Sequence, residues 1–173
     1  MFMVTENKSQ KDRLEKLYKK VKFLYGNIPP QMQFIGNIDA SYLEDFLQSL
    51  LRIVKHPHIN PDWFGFVRLH IAFTEDYDYC KGFNTALLLS RGYTQEQLDQ
   101  AVADISIIPF DEKHRALAEY TRKVIYKSKY CTQEDLKTLY EMGWSQKDVF
   151  DGVEHAGTLF RNGRILTAYS IKD

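Results

Sequence analysis

The chain has 173 residues, 44% of them apolar, with 23 lysines and arginines against 23 aspartates and glutamates. Zero net charge excludes a global field that would draw the protein onto nucleic acid or an anionic membrane, and the apolar content excludes a disordered chain. Cys80 and Cys131 are too few for a disulfide framework, no apolar run approaches the roughly 18 residues of a membrane span, and residues 1–8 lack a basic stretch followed by an apolar one, so reduced thiols in the cytoplasm are expected.

Leu14, Leu17, Tyr18, Val21, Leu24 and Tyr25 recur at helical spacing, and Gly26 with Ile28-Pro29-Pro30 ends that helix. Lys16, Lys19, Lys20 and Lys22 give it a basic face. Without interleaved aromatic residues that face reads as solvated surface and not as a nucleic-acid site. A second helix starts at Ser41, which stands in capping-box spacing with Glu44, and buries Leu43, Phe46, Leu47, Leu50, Leu51 and Val54. Pro57 closes it. His56-Pro57-His58 offers two imidazoles, which do not make a metal site by themselves, and reads as an exposed loop.

Asn60-Pro61 starts the next helix, with Phe64, Val67, Arg68 and Ile71 on one face. Another begins near Tyr79 and runs through Phe83, Ala86, Leu87 and Ser90 to Gly92. A short one follows from the Thr94–Gln97 capping box. Pro109 and Asp111 open a long helix that turns Leu117, Thr121, Val124 and Ile125 inward, where His114 reads as solvated. Thr132 starts another, and Ser145 the last, which carries Val149, Val153, Phe160 and Arg164. His155, next to Glu154, reads as a structural histidine. Gly92-Tyr93-Thr94-Gln95 and Gly143-Trp144-Ser145-Gln146 repeat one helix–helix corner: a glycine past a helix end, an aromatic residue, and a hydroxyl cap. Ile105-Ser-Ile-Ile-Pro is too short for a strand and ends in proline. The expectation is a single all-α domain over residues 1–173 with about seven or eight helices.

The stretch Thr74-Glu-Asp-Tyr-Asp-Tyr-Cys80-Lys-Gly-Phe-Asn84 concentrates the chemistry. A helix start and Lys81 favour a Cys80 thiolate, while Glu75, Asp76 and Asp78 oppose it. Two readings stand open: a one-cysteine redox centre, or a small thiol packed at a helix start. Cys131 can resolve Cys80 only if the fold or an oligomer brings their Cα atoms within about 7 Å.

Arg68-Leu-His-Ile-Ala, the acidic turn, Tyr79-Cys80, and Ser90-Arg-Gly-Tyr-Thr together resemble the core of the AhpD-like or carboxymuconolactone decarboxylase family. Ala116-Leu-Ala-Glu-Tyr, the Thr132-Gln-Glu-Asp-Leu helix, Gly143-Trp-Ser-Gln, and Phe160 followed by Arg164 are similar to its second half, and residues 23–30 to the opening segment of its peroxidase-related branch. The resemblance spans residues 23–169. It implies an all-helical AhpD-like protomer that forms a homo-oligomer, with a pocket for a peroxide or other small molecule and no metal or cofactor.

Active members of that family carry Cys-x-x-Cys-x-x-x-His and a glutamate on the preceding helix. One thiolate attacks the peroxide, the other resolves the sulfenic acid, and the His/Glu pair moves protons. Here the first cysteine position is Tyr77, the second Cys80, the histidine position Asn84 and the glutamate position Gly65. The resemblance therefore implies the fold but not the two-cysteine mechanism. Tyr77, Asn84 and Gly65 become candidate pocket residues, or residues that merely pack and cap. His70, on the helix before the acidic turn, is the candidate replacement for the proton relay of Cys80. The functional expectation is a divergent alkylhydroperoxidase-like protein limited to one-cysteine chemistry; the alternative is a non-enzymatic small-molecule-binding or structural oligomer.

Overall fold

The computed structural model describes residues 10–169. Among them are nine α-helices and no strand. They are α1 (Lys11–Tyr25), α2 (Pro30–Ile38), α3 (Ala40–Val54), α4 (Pro61–Thr74), α5 (Asp78–Ser90), α6 (Gln95–Ala103), α7 (Glu112–Lys127), α8 (Gln133–Glu141) and α9 (Gln146–Ala168). Packing divides the chain into two compact units, Met1–Val54 with Arg164–Asp173, and Lys55–Gly163.

The first unit is built on α1, α2 and α3. Leu14, Leu17 and Val21 of α1 meet Met32, Ala40, Leu43 and Leu47 in one buried cluster. Lys16, Lys19, Lys20 and Lys22 of α1 are exposed, as a solvated face requires, while the side chains of Leu24 and Tyr25 and residues 1–8 lie outside what is described. Helix α2 is an addition to the sequence expectation. Pro30 does not only stop the preceding segment; it occupies the first turn of a new helix, where a missing N–H costs nothing. The start of α3 also differs. Asp39, not Ser41, is the cap, its carboxylate accepting from the Ser41 backbone and hydroxyl at 2.7 Å each.

In the second unit α4 is buried on every side, from Trp63 and Phe64 through Ile71 and Ala72, and not along one stripe. A helix apolar all round belongs at the centre of its unit. Helices α5, α6 and α7 pack against it. The repeated corner forms at both places. Gly92 and Gly143 take left-handed φ of 93° and 87°. Thr94 and Gln97 close a reciprocal capping box, and Ser145 and Asp148 bond reciprocally. His114 is not solvated: its ring bonds Asp111 at 2.7 Å and stands edge-on to Trp144.

The His56-Pro57-His58 loop is also tied down and not fully exposed. The His56 side chain is 3% exposed; its Nε2 lies 3.1 Å from Asp151 and 3.7 Å from Asp148, and His58 Nδ1 lies 2.9 Å from Asp148. His56 Nδ1 accepts the Ile59 backbone N–H at 2.9 Å, so the ring proton sits on Nε2 and points at a carboxylate. Burial acts to raise Asp148, but bonds from Ser145 and His58 together outweigh it and hold the carboxyl below its ordinary range.

Candidate functional site

The turn that presents Cys80 is a helix-ending motif. Asp76 adopts a left-handed φ of 60°, the Glu75 N–H donates to Ile71 O, and the Tyr77 N–H reaches back to Ala72 O at 2.9 Å. Tyr77 then stands just before α5, and half-buried Cys80 falls in its first turn, where the helix dipole favours a thiolate. Lys81 does not add to that field. Its ammonium is held by Asp76 and, at 2.7 Å, by Asp78, and these bonds raise its pKa, Asp76 first.

Tyr77, in the first cysteine position, is buried and donates its hydroxyl to Phe160 O at 3.3 Å. Its ring lies directly on Gly163: a Cβ there would sit 2.1 Å from Tyr77 Cε2. The Phe160 ring in turn meets Tyr126, whose phenol is pushed up to about 12, by burial first and Glu75 next. That phenol stays uncharged at neutral pH.

Asn84, in the histidine position, is 1% exposed. Its amide donates to Cys80 O at 2.8 Å and accepts from Arg68 Nε at 2.7 Å. Arg68 Nη1 donates to His155 Nε2 at 3.0 Å. Burial, then the Arg68 charge, hold His155 well below the ordinary histidine range, so its ring is neutral. A Cβ on Gly65 would lie 3.0 Å from Leu88 Cδ2 and 3.7 Å from Arg68 Nη2. No room exists for a glutamate there without displacing Leu88, and the guanidinium lies alongside. The motif positions are thus refilled by a connected set running Cys80 carbonyl, Asn84, Arg68, His155.

The structure therefore brings Gly65, Cys80 and Asn84 into one neighbourhood, with Tyr77 at the start of the same helix. His70 takes another place. It is buried, with Nδ1 3.0 Å from Ala101 O and Nε2 accepting from Arg122 Nε at 3.1 Å. Arg68 and His155, not His70, stand in line with Asn84. The signal for Arg68 was present in the sequence, as an arginine in the middle of a largely apolar helix; its partner on α9 is 87 positions away and leaves no local trace.

His70 lies in a cleft of about 670 Å³ among α4, α6, α7 and α8, lined also by Ile105, Glu119, Arg122, Lys123, Lys127 and Leu139. Tyr77, Cys80 and Asn84 do not line it. Lys123 is paired across it with Asp135 at 2.7 Å. Among the described residues no group of three or more His, Cys, Asp or Glu is placed to hold a metal ion, and no helix is long and apolar enough to cross a membrane.

No protein-family model and no curated protein matches the sequence. Solved structures do match in shape. An uncharacterized peroxidase-related protein from Silicibacter sp. TM1040 aligns with a TM-score of 0.81 at 13% identity, covering 98% of this chain and 88% of that one. The alkylhydroperoxidase AhpD core of an uncharacterized peroxidase-related protein from Ralstonia eutropha JMP134 aligns at 0.79 with 16% identity, covering 99% and 90%. Identities this low speak to shape alone, and that shape is unambiguous: the chain has the all-α AhpD-like fold of peroxidase-related proteins.

Proposed function

We propose that this chain is a divergent alkylhydroperoxidase-like protein that does not run two-cysteine peroxidase chemistry, and that any reaction with peroxide is one-cysteine chemistry at Cys80. The seat of Tyr77 carries this reading. A resolving thiol belongs where a buried phenol ring is packed on Gly163 and hydrogen-bonded to Phe160. Asn84, bonded to both Arg68 and the Cys80 carbonyl, cannot titrate and so cannot relay a proton. In the remaining chemistry the Cys80 thiolate attacks the peroxide O–O bond. The sulfur takes one oxygen as sulfenic acid, and the other oxygen leaves as alcohol or water after taking a proton. Two equivalents of an external thiol then return the sulfenic acid to the thiol, leaving as a disulfide with release of water.

The test treats wild type, Cys80→Ser and Cys131→Ser with peroxide, traps sulfenic acid with dimedone, and reads both by mass. The expected result is at most one trapped sulfenic acid per chain, absent in Cys80→Ser and unchanged in Cys131→Ser. A Cys80–Cys131 disulfide on which peroxide turnover depends would overturn the reading. The exposed Phe73 and Leu89 support homo-oligomerisation, which light scattering on the purified protein checks. A second reading, a non-enzymatic small-molecule-binding protein, is favoured by the cleft at His70 and Arg122; complete inertness of Cys80 to peroxide selects it.

A further inference from the structure

We propose that the cleft beside His70 binds a small organic monocarboxylate with an apolar body, its carboxylate held by the outward edge of the Arg122 guanidinium. This rests on the binding reading above and names its ligand class. The volume of about 670 Å³ is that of a small-molecule site. At its side stands a guanidinium already aimed. Arg122 Nε donates to His70 Nε2, which therefore carries the lone pair, and the proton on His70 Nδ1 goes to Ala101 O. The Tyr126 ring, 5.9 Å from the guanidinium carbon, supports it from a second direction.

With Nε occupied, the two Nη groups remain. Among the described residues they have no hydrogen-bonding partner, and neither does the Lys127 ammonium on the same cleft. A fork of parallel N–H donors fits a carboxylate with two bonds. Lys123 does not compete for the ligand, because Asp135 holds it.

Two features narrow the ligand. Asp104 and Glu119 line the cleft as well, so a dianion such as phosphate meets like charge that a monoanion meets less strongly. Ala103, Ala116 and the half-buried Tyr120 ring give the cleft apolar wall, which suits a hydrocarbon or aromatic body and gives nothing to a compact inorganic ion.

The test uses the full chain and three probes in calorimetric titration: octanoate, 1-octanol and inorganic phosphate, each with wild type, Arg122→Gln and Glu119→Gln. The expectation is saturable octanoate binding, one per chain, with octanol roughly tenfold or more weaker. Arg122→Gln should weaken octanoate roughly tenfold to hundredfold, the range for a charge-assisted hydrogen-bond pair. Glu119→Gln, an exposed change that does not disturb packing, should tighten it about twofold. Octanol binding as well as octanoate would overturn the carboxylate assignment and leave the binding reading standing. Arg122-dependent phosphate binding without octanoate binding would overturn it too. If no probe binds, both fail.

Discussion

Two arginine–histidine pairs sit in the second unit, and they differ in what the rest of the guanidinium does. Arg68 donates to His155 and, through Nε, to Asn84, which is itself bonded to the Cys80 carbonyl. Arg122 donates to His70 through Nε, and its Nη groups have no hydrogen-bonding partner among the described residues. Both histidines are buried and held below their ordinary range, so both act as neutral acceptors that orient a cation. The difference separates architecture from site. The Arg68 set ties α4 to α5 and α9, leaving His155 Nδ1 buried without a partner among the described residues, whereas the Arg122 Nη groups keep donor capacity that the proposed carboxylate would use. The motif positions that drew attention in the sequence fall on the closed side.

The hardest way to break the closed side is Gly163→Ala. The added methyl would lie 2.1 Å from the Tyr77 ring, well inside van der Waals contact, and Tyr77 is buried with its hydroxyl anchored. Overpacking of this kind should cost about 3 kcal/mol or more and lower the melting temperature by roughly 10 °C. On a Tyr77→Ala background the same Gly163→Ala change should cost little, because the clash is gone. A variant that melts with wild type would show that Tyr77 is not seated there.

Asn84→Leu comes next. It keeps the branched skeleton but exchanges the amide for two methyl groups, leaving Arg68 Nε and the Cys80 carbonyl without that partner. A lost hydrogen bond to a charged group should cost about 2 kcal/mol, read from urea unfolding. An unchanged midpoint would mean that the Asn84–Arg68 link does not hold the corner together.

Much of the fold was legible because its punctuation is local. Thr94 with Gln97, Asn60 before Pro61, and the left-handed Gly92 and Gly143 each mark a boundary that a few neighbouring residues decide. Helix α2 was missed because Pro29-Pro30 signals an end and a beginning equally well, and only packing of Met32 and Phe34 selects the second. The burial of α4 on all sides was missed because helical periodicity assumes one wet face, and between Trp63 and Ala72 only half-buried Arg68 departs from full burial. At the site, the replacements at Tyr77, Asn84 and Gly65 could be read directly. What they do could not, since Gly163, Phe160 and His155 approach from α9 and contact order hides them.

Acid should act on the two pairs together. Unfolded histidines titrate near 6.5. In the fold His155 is held below that by burial first and Arg68 second. His70 is lowered by burial, which outweighs the opposing bond to Ala101 O, with Arg122 adding to burial. Between the folded and unfolded values the unfolded chain binds more protons, so stability is complete above about pH 6.5 and falls as pH drops below it. The slope is up to about 1.4 kcal/mol per pH unit for each histidine. Urea midpoints at pH 7.5 and 5.5 should therefore fall on acidification, and His155→Gln should show a smaller drop than wild type. Equal drops would mean that His155 does not carry the acid sensitivity.

Arg122→Gln should have the smallest effect on stability, and that smallness is the point. The residue is exposed, and its one hydrogen bond goes to a neutral ring whose Nδ1 remains bonded to Ala101. Losing one hydrogen bond to a neutral acceptor should cost about 1 kcal/mol, half the expected cost of Asn84→Leu. A loss comparable to that of Asn84→Leu would make Arg122 a structural residue like Arg68 and erase the distinction between the two pairs. A small midpoint shift combined with a large loss of octanoate affinity would place its role outside the fold, because only a group that serves a ligand can matter so little to the chain and so much to what the chain binds.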